Sequence, residues 1–152
     1  MGIDPEKIRG AITVYRQRRS GAYQIQPMSR YGRLGLADAG ETISVAPRED
    51  APLLAVVEKA LAAFQSNRYD MPGSPRMSPK EHAQFVRGHD AIMIVRLEDH
   101  GLELIPWERV HGGFEALDGG SIALRPPVTA EALADAVREA FKRAAATPGA
   151  GS

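Results

Sequence analysis

The sequence predicts an α+β fold, a two-layer sandwich in which a largely antiparallel sheet of about six strands carries two main helices on one face. Two observations lead to this prediction. Segments 43–64 and 122–141 each read as an alternating apolar strand, a proline, a few polar residues and a helix with an apolar stripe. The same spacing continues back through the strands that precede each segment, so we interpret the chain as a tandem βββα repeat.

The repeat keeps one offset across the predicted strands. An offset of 79 positions pairs Ile43 with Ile122, and the same offset pairs Pro27 with Pro106. We expect one extra residue in the loop before the second helix, since a slip inside a strand would turn every side chain to the other face. In the helices an offset of 80 therefore matches three apolar positions of one stripe, Leu53, Val57 and Leu61 with Leu133, Val137 and Phe141.

The first copy begins with two strands that form a hairpin. Residues 11–17 alternate apolar and polar side chains, and residues 22–26 return after a Ser-Gly turn. An irregular stretch that contains glycine leads to the third strand, 42–46. The helix is predicted to begin after Asp50, a favourable N-cap residue, and to end near Gln65.

The second copy repeats this order. Residues 91–97 form the most apolar run of the chain, which predicts a central strand. The strands 102–108 and 121–125 follow, and the glycine-flanked segment 112–120 is interpreted as a flexible connection between them. The second helix starts after Thr129, with acid in its first turn and basic residues in its last, an order that suits the helix dipole.

Neither copy is expected to fold alone, because each helix has one apolar stripe and each set of strands has one apolar face. We therefore interpret all 152 residues as a single domain, with the copies at about 10–65 and 90–144. A linker that contains proline, 66–79, joins the copies, and a short helix at 79–87 precedes the second copy. The small-residue tail 145–152 is expected to be mobile.

The composition excludes several classes of protein. Lys and Arg together number 19, as do Asp and Glu, so the chain does not have the net positive charge of a protein that coats nucleic acid. It has no cysteine, which excludes disulfides, thiolate nucleophiles and thiolate zinc sites. No apolar stretch approaches the ~20 residues of a membrane span, so we expect a cytoplasmic protein that does not bind membranes.

The sequence contains no recognisable motif for catalysis or cofactor binding. No serine nucleophile motif and no phosphate-binding glycine loop is present, and the histidines lack metal-binding spacing: His82, His89, His100 and His111. We therefore predict no cofactor and no metal. Two alternatives stay open. One is a small enzyme that uses His100 or His111 with a nearby carboxylate as an acid–base pair; the other is an adaptor or dimer, if strand 91–97 lay at a sheet edge.

Acidic residues are concentrated in the second copy. From position 98 to position 118 a single arginine accompanies six carboxylates: Glu98, Asp99, Glu103, Glu108, Glu115 and Asp118. They form either a solvated surface with no partner or an acidic face that recruits a basic partner, since complementary charge speeds encounter. Trp107, the one tryptophan, is either a core residue or an apolar anchor within that face.

Three segments share a pattern with a known family. An apolar–x–Pro strand end, a polar turn and a helix rich in alanine and leucine occur at 45–61 and again at 124–141. Between them, 104–117 contains a strand with isoleucine and proline near its end and then a charged stretch that leads to an aromatic residue. From about Tyr23 to Ala144 the chain resembles one subgroup of the immunity proteins of bacterial contact-dependent growth inhibition systems.

The resemblance implies a role and a partner. The protein would be no enzyme; it would bind and neutralise, in the cytoplasm, the C-terminal toxin domain of a large contact-dependent growth inhibition effector. Such toxins are often nucleases, frequently acting on transfer RNA, and a nuclease that grips phosphate carries a basic cleft. An acidic inhibitor face would suit that cleft without touching nucleic acid itself. The hypothesised toxin-binding residues are Glu98, Asp99, Glu103, Trp107, Glu108, Glu115 and Asp118.

Overall fold

The computed structural model describes residues 5–30, 36–38, 43–45, 50–64, 78–110, 113–117 and 119–146. Within them the strands are β1 (Ile8–Gln17), β2 (Tyr23–Arg30), β3 (Leu36–Asp38), β4 (Ile43–Val45), β5 (His89–Leu97), β6 (Leu102–Val110), β7 (Gly113–Ala116) and β8 (Ile122–Leu124). The helices are α1 (Asp50–Ala62), α2 (Pro79–Gly88) and α3 (Ala130–Ala146). The predicted linker and the predicted mobile tail lie almost entirely outside the described residues.

The strands form one antiparallel sheet with β1 and β5 as its central pair. Their order across the sheet is β3, β2, β1, β5, β6, β7, and the short strands β4 and β8 pair with β2 and β6. The predicted α+β class with a largely antiparallel sheet is confirmed. Since β5 lies between β1 and β6, the adaptor interpretation, which required this strand at a sheet edge, is wrong on that point.

Each half of the chain contains one strand more than the sequence predicted. The additional strands are β3 and β7, in the two stretches interpreted as irregular connections. Val110 pairs with Gly113 and Trp107 pairs with Ala116, so the interpretation of segment 112–120 as a flexible connection is wrong over β7. A four-residue segment beginning with glycine has little strand propensity of its own, and pairing with the long strand β6 determines its conformation.

The two halves use the same pairings at an offset of 79. Tyr23 pairs with Val45 across β2 and β4, and Leu102 pairs with Leu124 across β6 and β8. The helices differ by 80, because α1 begins at residue 50 and α3 at residue 130. The additional residue therefore lies between β8 and α3, and every strand side chain keeps its face.

The core lies between one face of the sheet and the two helices α1 and α3. Alternate residues of the central strands point towards these helices, and Ile12, Val14, Ile92 and Ile94 have no exposed surface. The helices contribute the apolar stripe that the sequence predicts, and its six residues are all buried: Leu53, Val57, Leu61, Leu133, Val137 and Phe141. The prediction of two main helices on one face is confirmed.

Helix α2 packs on the opposite face of the sheet. Ser78 is its N-cap and forms a capping box with Glu81, which defines where the helix begins. Phe85 contacts Tyr15 edge to face at a ring-centroid distance of 4.9 Å and stacks on the ring of His89 at 3.9 Å. The side chain of Tyr15 alternates with those of the core residues along β1, so these aromatic rings lie on the face away from α1 and α3.

Replacing Gly10 with alanine is expected to destabilise the protein. α1 passes over β1 at this glycine, where a Cβ atom would lie 3.0 Å from the carbonyl oxygen of Leu61 and 3.3 Å from its Cβ. The backbone of α1 would have to move away from the sheet, and we expect a loss of about 1–3 kcal/mol in the free energy of unfolding. Urea denaturation followed by circular dichroism measures this change.

Gly113→Ala is the matched control, because a Cβ at Gly113 of β7 would meet no atom within 4 Å. Its free energy of unfolding should stay within about 0.5 kcal/mol of the original. Equal stability of the two variants would contradict a close approach of α1 to β1.

Candidate functional site

Charged side chains line the end of the sheet where β1 ends and β5 begins. Arg16 pairs with Asp90 across β1 and β5, and Glu108 pairs with Glu115 across β6 and β7. Ala91 pairs with Trp107 across β5 and β6, so the preceding residue Asp90 and the following residue Glu108 are neighbours across those two strands. The four residues therefore form a row across the sheet, on the face that also carries α1 and α3. We call this set the charged row.

Asp90 is the buried centre of the charged row, with 4% of its surface exposed. Its Oδ2 accepts a hydrogen bond from Nη2 of Arg16 at 3.1 Å, and its Oδ1 accepts one from Nη2 of Arg18 at 3.1 Å. Nη2 of Arg109 donates to the same Oδ1 at 2.6 Å. Three guanidinium groups thus surround one carboxylate, and charge-assisted hydrogen bonds of this kind are the strong ones in proteins.

The antiparallel topology brings these residues together from distant parts of the chain. β1 ends beside the start of β5, and the backbone N–H of Arg18 donates to the carbonyl oxygen of Gly88 at 2.9 Å. Arg109, near the end of β6, donates from Nε and Nη2 to the carbonyl oxygen of His89 at 3.3 Å. Each arginine is therefore tied to strand ends that the sheet already aligns, so the cluster is preorganised.

The charged row also contacts the core. The guanidinium carbon of Arg16 lies 4.8 Å from the ring centroid of Phe141 of α3, and Tyr23 stacks on the same ring at 5.5 Å. A guanidinium group over an aromatic face is attracted to it electrostatically. The end of α3 thus helps to hold Arg16 in its position next to Asp90.

Glu108 and Glu115 face each other across β6 and β7. Among the residues that the structure describes, neither carboxylate makes an ion pair, although three guanidinium groups bind Asp90 on the neighbouring strand. Like charges directly opposite each other on paired strands destabilise a sheet. The pair therefore forms a surface that a basic side chain from another molecule would stabilise.

The other predicted acidic residues lie at the opposite end of β6. Glu98 and Asp99 are exposed in the β5–β6 turn; Glu98 pairs with Arg9 at 3.7 Å, and Oδ1 of Asp99 accepts a hydrogen bond from the N–H of Gly101 at 2.9 Å. Glu103 is the second residue of β6 and points to the face away from α1 and α3. At ~3.3 Å per residue, Glu103 is roughly 17 Å from Glu108 along β6, and Glu98 and Asp99 lie farther away still.

The structure thus places the predicted acidic residues in two groups rather than on one face. The first group comprises Glu98, Asp99 and Glu103, and the second comprises Glu108 and Glu115. Asp118 lies outside the described residues. The division follows from strand geometry, because residues of even and odd number on β6 point to opposite faces.

Trp107 is half-buried on the sheet face that carries α2. Its ring lies 6.3 Å from the ring of Phe114 on β7, centroid to centroid. The indole Nε1 of Trp107 and the imidazole Nε2 of His89 are buried and make no hydrogen bond with any residue that the structure describes. Nδ1 of His89 is 2.8 Å from the carbonyl oxygen of Phe85 in the last turn of α2. This histidine is therefore buried, whereas the sequence did not distinguish it from the other histidines.

Of the two histidines considered for acid–base chemistry, His100 lies in the described part of the chain. His100 is exposed in the β5–β6 turn and has a positive φ of 68°, and His111 lies outside the described residues. The described residues contain no group of three or more histidine, aspartate or glutamate side chains that could hold a metal ion.

None of the described helices is both long enough and apolar enough to cross a membrane.

Sequence reasoning missed the arginine cluster around Asp90. One signal was available: Asp90 is a charged residue directly before the most apolar run of the chain, where it was bound to be partly enclosed. The predicted hairpin and central strand would have placed Arg16 close to it only if β1 and β5 were known to pair. That pairing joins the two copies, and the repeat alone does not specify it.

Two solved structures have a similar fold. A protein of unknown function from Neisseria meningitidis superimposes with a TM-score of 0.69 at 17% sequence identity, over 94% of this chain and 99% of that chain. A chain of the CdiA-CT/CdiI toxin and immunity complex from Yersinia pseudotuberculosis superimposes with a TM-score of 0.62 at 13% identity, over 88% of this chain and 96% of that chain. At these identities the likeness shows a shared fold. No family model matches the sequence, and no curated protein is significantly similar to it.

Proposed function

We propose that this chain is an immunity protein, which binds the C-terminal toxin domain of a contact-dependent growth inhibition effector and neutralises it in the cytoplasm. The observation that carries the proposal is the fold that the chain shares, over 88% of its length, with a chain of a toxin and immunity complex. The sequence resemblance to immunity proteins between about Tyr23 and Ala144 supports the same role. The protein would act by binding and not by catalysis.

The facing pair Glu108 and Glu115, which makes no ion pair within the described residues, is the contact that we propose for a basic surface of the toxin. A toxin that cleaves nucleic acid must hold phosphates with lysine and arginine side chains. A guanidinium or ammonium group from such a surface would remove the repulsion between the two carboxylates, so that binding and relief of strain add. The half-buried indole of Trp107 is adjacent to Glu108 along β6 but lies on the opposite face of the sheet, so it would be an apolar contact only for a toxin that also reaches the face of α2.

The group at the β5–β6 turn should contribute less to binding. Glu98 is already paired with Arg9, and Asp99 accepts a hydrogen bond within its own turn. Exposed ion pairs contribute roughly 0–1 kcal/mol. If a basic residue of the toxin replaced Arg9 as the partner of Glu98, the free energy of binding would therefore change little. Of the predicted residues, we therefore assign the larger effects to Glu108 and Glu115.

The double variant Glu108→Gln, Glu115→Gln should bind the toxin about a hundredfold more weakly, because two charge-assisted contacts are lost. The same variant should be more stable, with a free energy of unfolding higher by roughly 0.2–1 kcal/mol, because the two facing side chains no longer carry like charges. The toxin domain is first identified by capture from a lysate of the source strain and mass spectrometry. Affinity is then measured by calorimetry with the purified domain, and stability by urea denaturation.

The control variant is Glu131→Gln, Asp135→Asn on the exposed face of α3, which removes the same charge far from the pair. It should leave the affinity unchanged. Growth of cells that produce the toxin domain provides a second readout, since the original protein should protect them and the Glu108 and Glu115 variant should not. A toxin that binds both variants equally would exclude this contact, and failure of the original protein to protect the cells would refute the immunity role.

A further inference from the structure

The three arginines around Asp90 have more hydrogen-bonding capacity than the protein uses. Each guanidinium group has five N–H donors. Arg16 uses Nη2, Arg18 uses Nε and Nη2, and Arg109 uses Nε and Nη2. In all three, the Nη1 amino group donates to no residue in the described part of the chain. Three amino groups on one preorganised cluster are thus available to a further acceptor.

The charges of the cluster do not balance either. Three guanidinium groups lie within 3.1 Å of the carboxylate of Asp90, and within the described residues they form no ion pair with Glu108 or Glu115, so the arginines outnumber the carboxylates that they contact by three to one. The arginine side chains remain accessible, with exposed fractions of 28% for Arg16, 43% for Arg18 and 24% for Arg109. An anion can therefore reach them from solvent without opening the core.

We propose that Arg16, Arg18 and Arg109 form a binding site for a phosphate group. Each Nη1 amino group can donate charge-assisted hydrogen bonds to phosphate oxygens, and the excess of guanidinium groups over the carboxylate that they bind favours an anion. Asp90 acts as the positioning residue, because it holds all three side chains in place before the ligand arrives. Less side-chain ordering then opposes binding, which is the general advantage of a preorganised site.

Other charged groups near the cluster set the strength of the site. Glu108 is the neighbour of Asp90 across β5 and β6, and its carboxylate would repel an anion. Arg87, in the last turn of α2, and Arg19, which follows Arg18 in the β1–β2 turn, would attract one. The contacts that define the site do not depend on the proposed toxin contact, although Glu108 borders both, and replacing Glu108 with glutamine should affect the two in opposite directions.

Inorganic phosphate is the first probe, titrated into the full chain by isothermal calorimetry with sodium chloride at matched ionic strength as the reference. We expect saturable binding at millimolar phosphate or below. Arg18→Gln should weaken it about tenfold, since Arg18 is the most exposed of the three and its loss removes one charge-assisted contact. Glu108→Gln should strengthen phosphate binding several-fold by removing a nearby negative charge.

Arg9→Gln is the matched control, because Arg9 is also an exposed arginine but lies near the start of β1, at the other end of the strand from Arg18, where it pairs with Glu98. It should leave phosphate binding unchanged. Arg18→Lys separates charge from geometry, since lysine keeps the charge and loses the planar fork, and binding should fall between the original protein and Arg18→Gln. Absence of saturable binding, or equal weakening by Arg9→Gln and Arg18→Gln, would overturn the proposal.

A competition experiment identifies the source of the phosphate group. A short single-stranded RNA that displaces inorganic phosphate from the original protein, and does so less well from Arg18→Gln, would assign the site to the nucleic-acid backbone. Phosphate binding that RNA does not disturb would assign the site to a small phosphorylated molecule.

Discussion

Replacing Asp90 with asparagine should lower the free energy of unfolding by about 3 kcal/mol, because three guanidinium groups would lose their shared carboxylate. Asparagine has nearly the same shape and keeps one oxygen acceptor, so the loss reports mainly on charge. For a protein of this length the melting temperature should fall by about 6–12 °C. Urea denaturation followed by circular dichroism gives the free energy, and differential scanning calorimetry gives the melting temperature.

Two further measurements separate repulsion among the arginines from the simple loss of hydrogen bonds. Added salt should stabilise Asp90→Asn more than the original protein, since salt screens like charges that have no counter-charge. Arg18→Gln should destabilise the original protein but restore part of the stability of Asp90→Asn. The interaction energy from this double-mutant cycle should be at least about 1 kcal/mol.

Asp135→Asn is the matched control for Asp90→Asn. Asp135 also binds an arginine, Arg138, but the pair lies on the surface of α3 with exposed fractions of 68% and 51%. Its loss should change the free energy of unfolding by less than about 0.5 kcal/mol. If both substitutions had the same small effect, the buried cluster would have no special part in stability.

The fold was predictable because both copies of the repeat have the same spacing of apolar residues. The alternation in 91–97 and the stripe of Leu133, Val137 and Phe141 each identify an element and the face that it buries. Together with the one additional residue in the loop before α3, these patterns are sufficient to predict a sheet with two helices on one face. The short strands β3 and β7 were missed, since they depend on pairing with β2 and β6 and not on their own composition.

The candidate site was predictable only in part. Glu108 and Glu115 were identified by the concentration of carboxylates, yet nothing in the sequence distinguished them from Glu103. Glu108 and Glu115 differ from Glu103 in the face of β6 to which Glu108 points and in the register of β6 with β7, and both are known only from the tertiary structure. The arginine cluster was missed for a related reason: Arg16 and Arg18 are 74 and 72 positions from Asp90 along the chain.

Replacing Phe141 with alanine should lower the free energy of unfolding by about 3–5 kcal/mol, the usual range for removing a buried phenyl ring. Phe141 has no exposed surface, stacks on Tyr23 at 5.5 Å and lies 4.8 Å below the guanidinium group of Arg16. Phe141→Leu keeps most of the apolar volume and removes the aromatic face, so its loss should be only about 1–1.5 kcal/mol. Urea denaturation of the two variants separates burial from aromatic contacts, and equal losses would show that the aromatic contacts dominate.

Phe141 and Asp90 should also be coupled, because both hold Arg16. When Asp90 is replaced by asparagine, Arg16 loses its charged partner but keeps its contact with the ring of Phe141. Phe141→Leu should then destabilise the Asp90→Asn protein more than the original protein, by at least about 0.5 kcal/mol. The equivalent core position of the first copy, Leu61, lies against Gly10, six residues from Arg16 along β1. Leu61→Ala should therefore be additive with Asp90→Asn. Additivity of both pairs would mean that the charged row and the core beneath it are energetically separate.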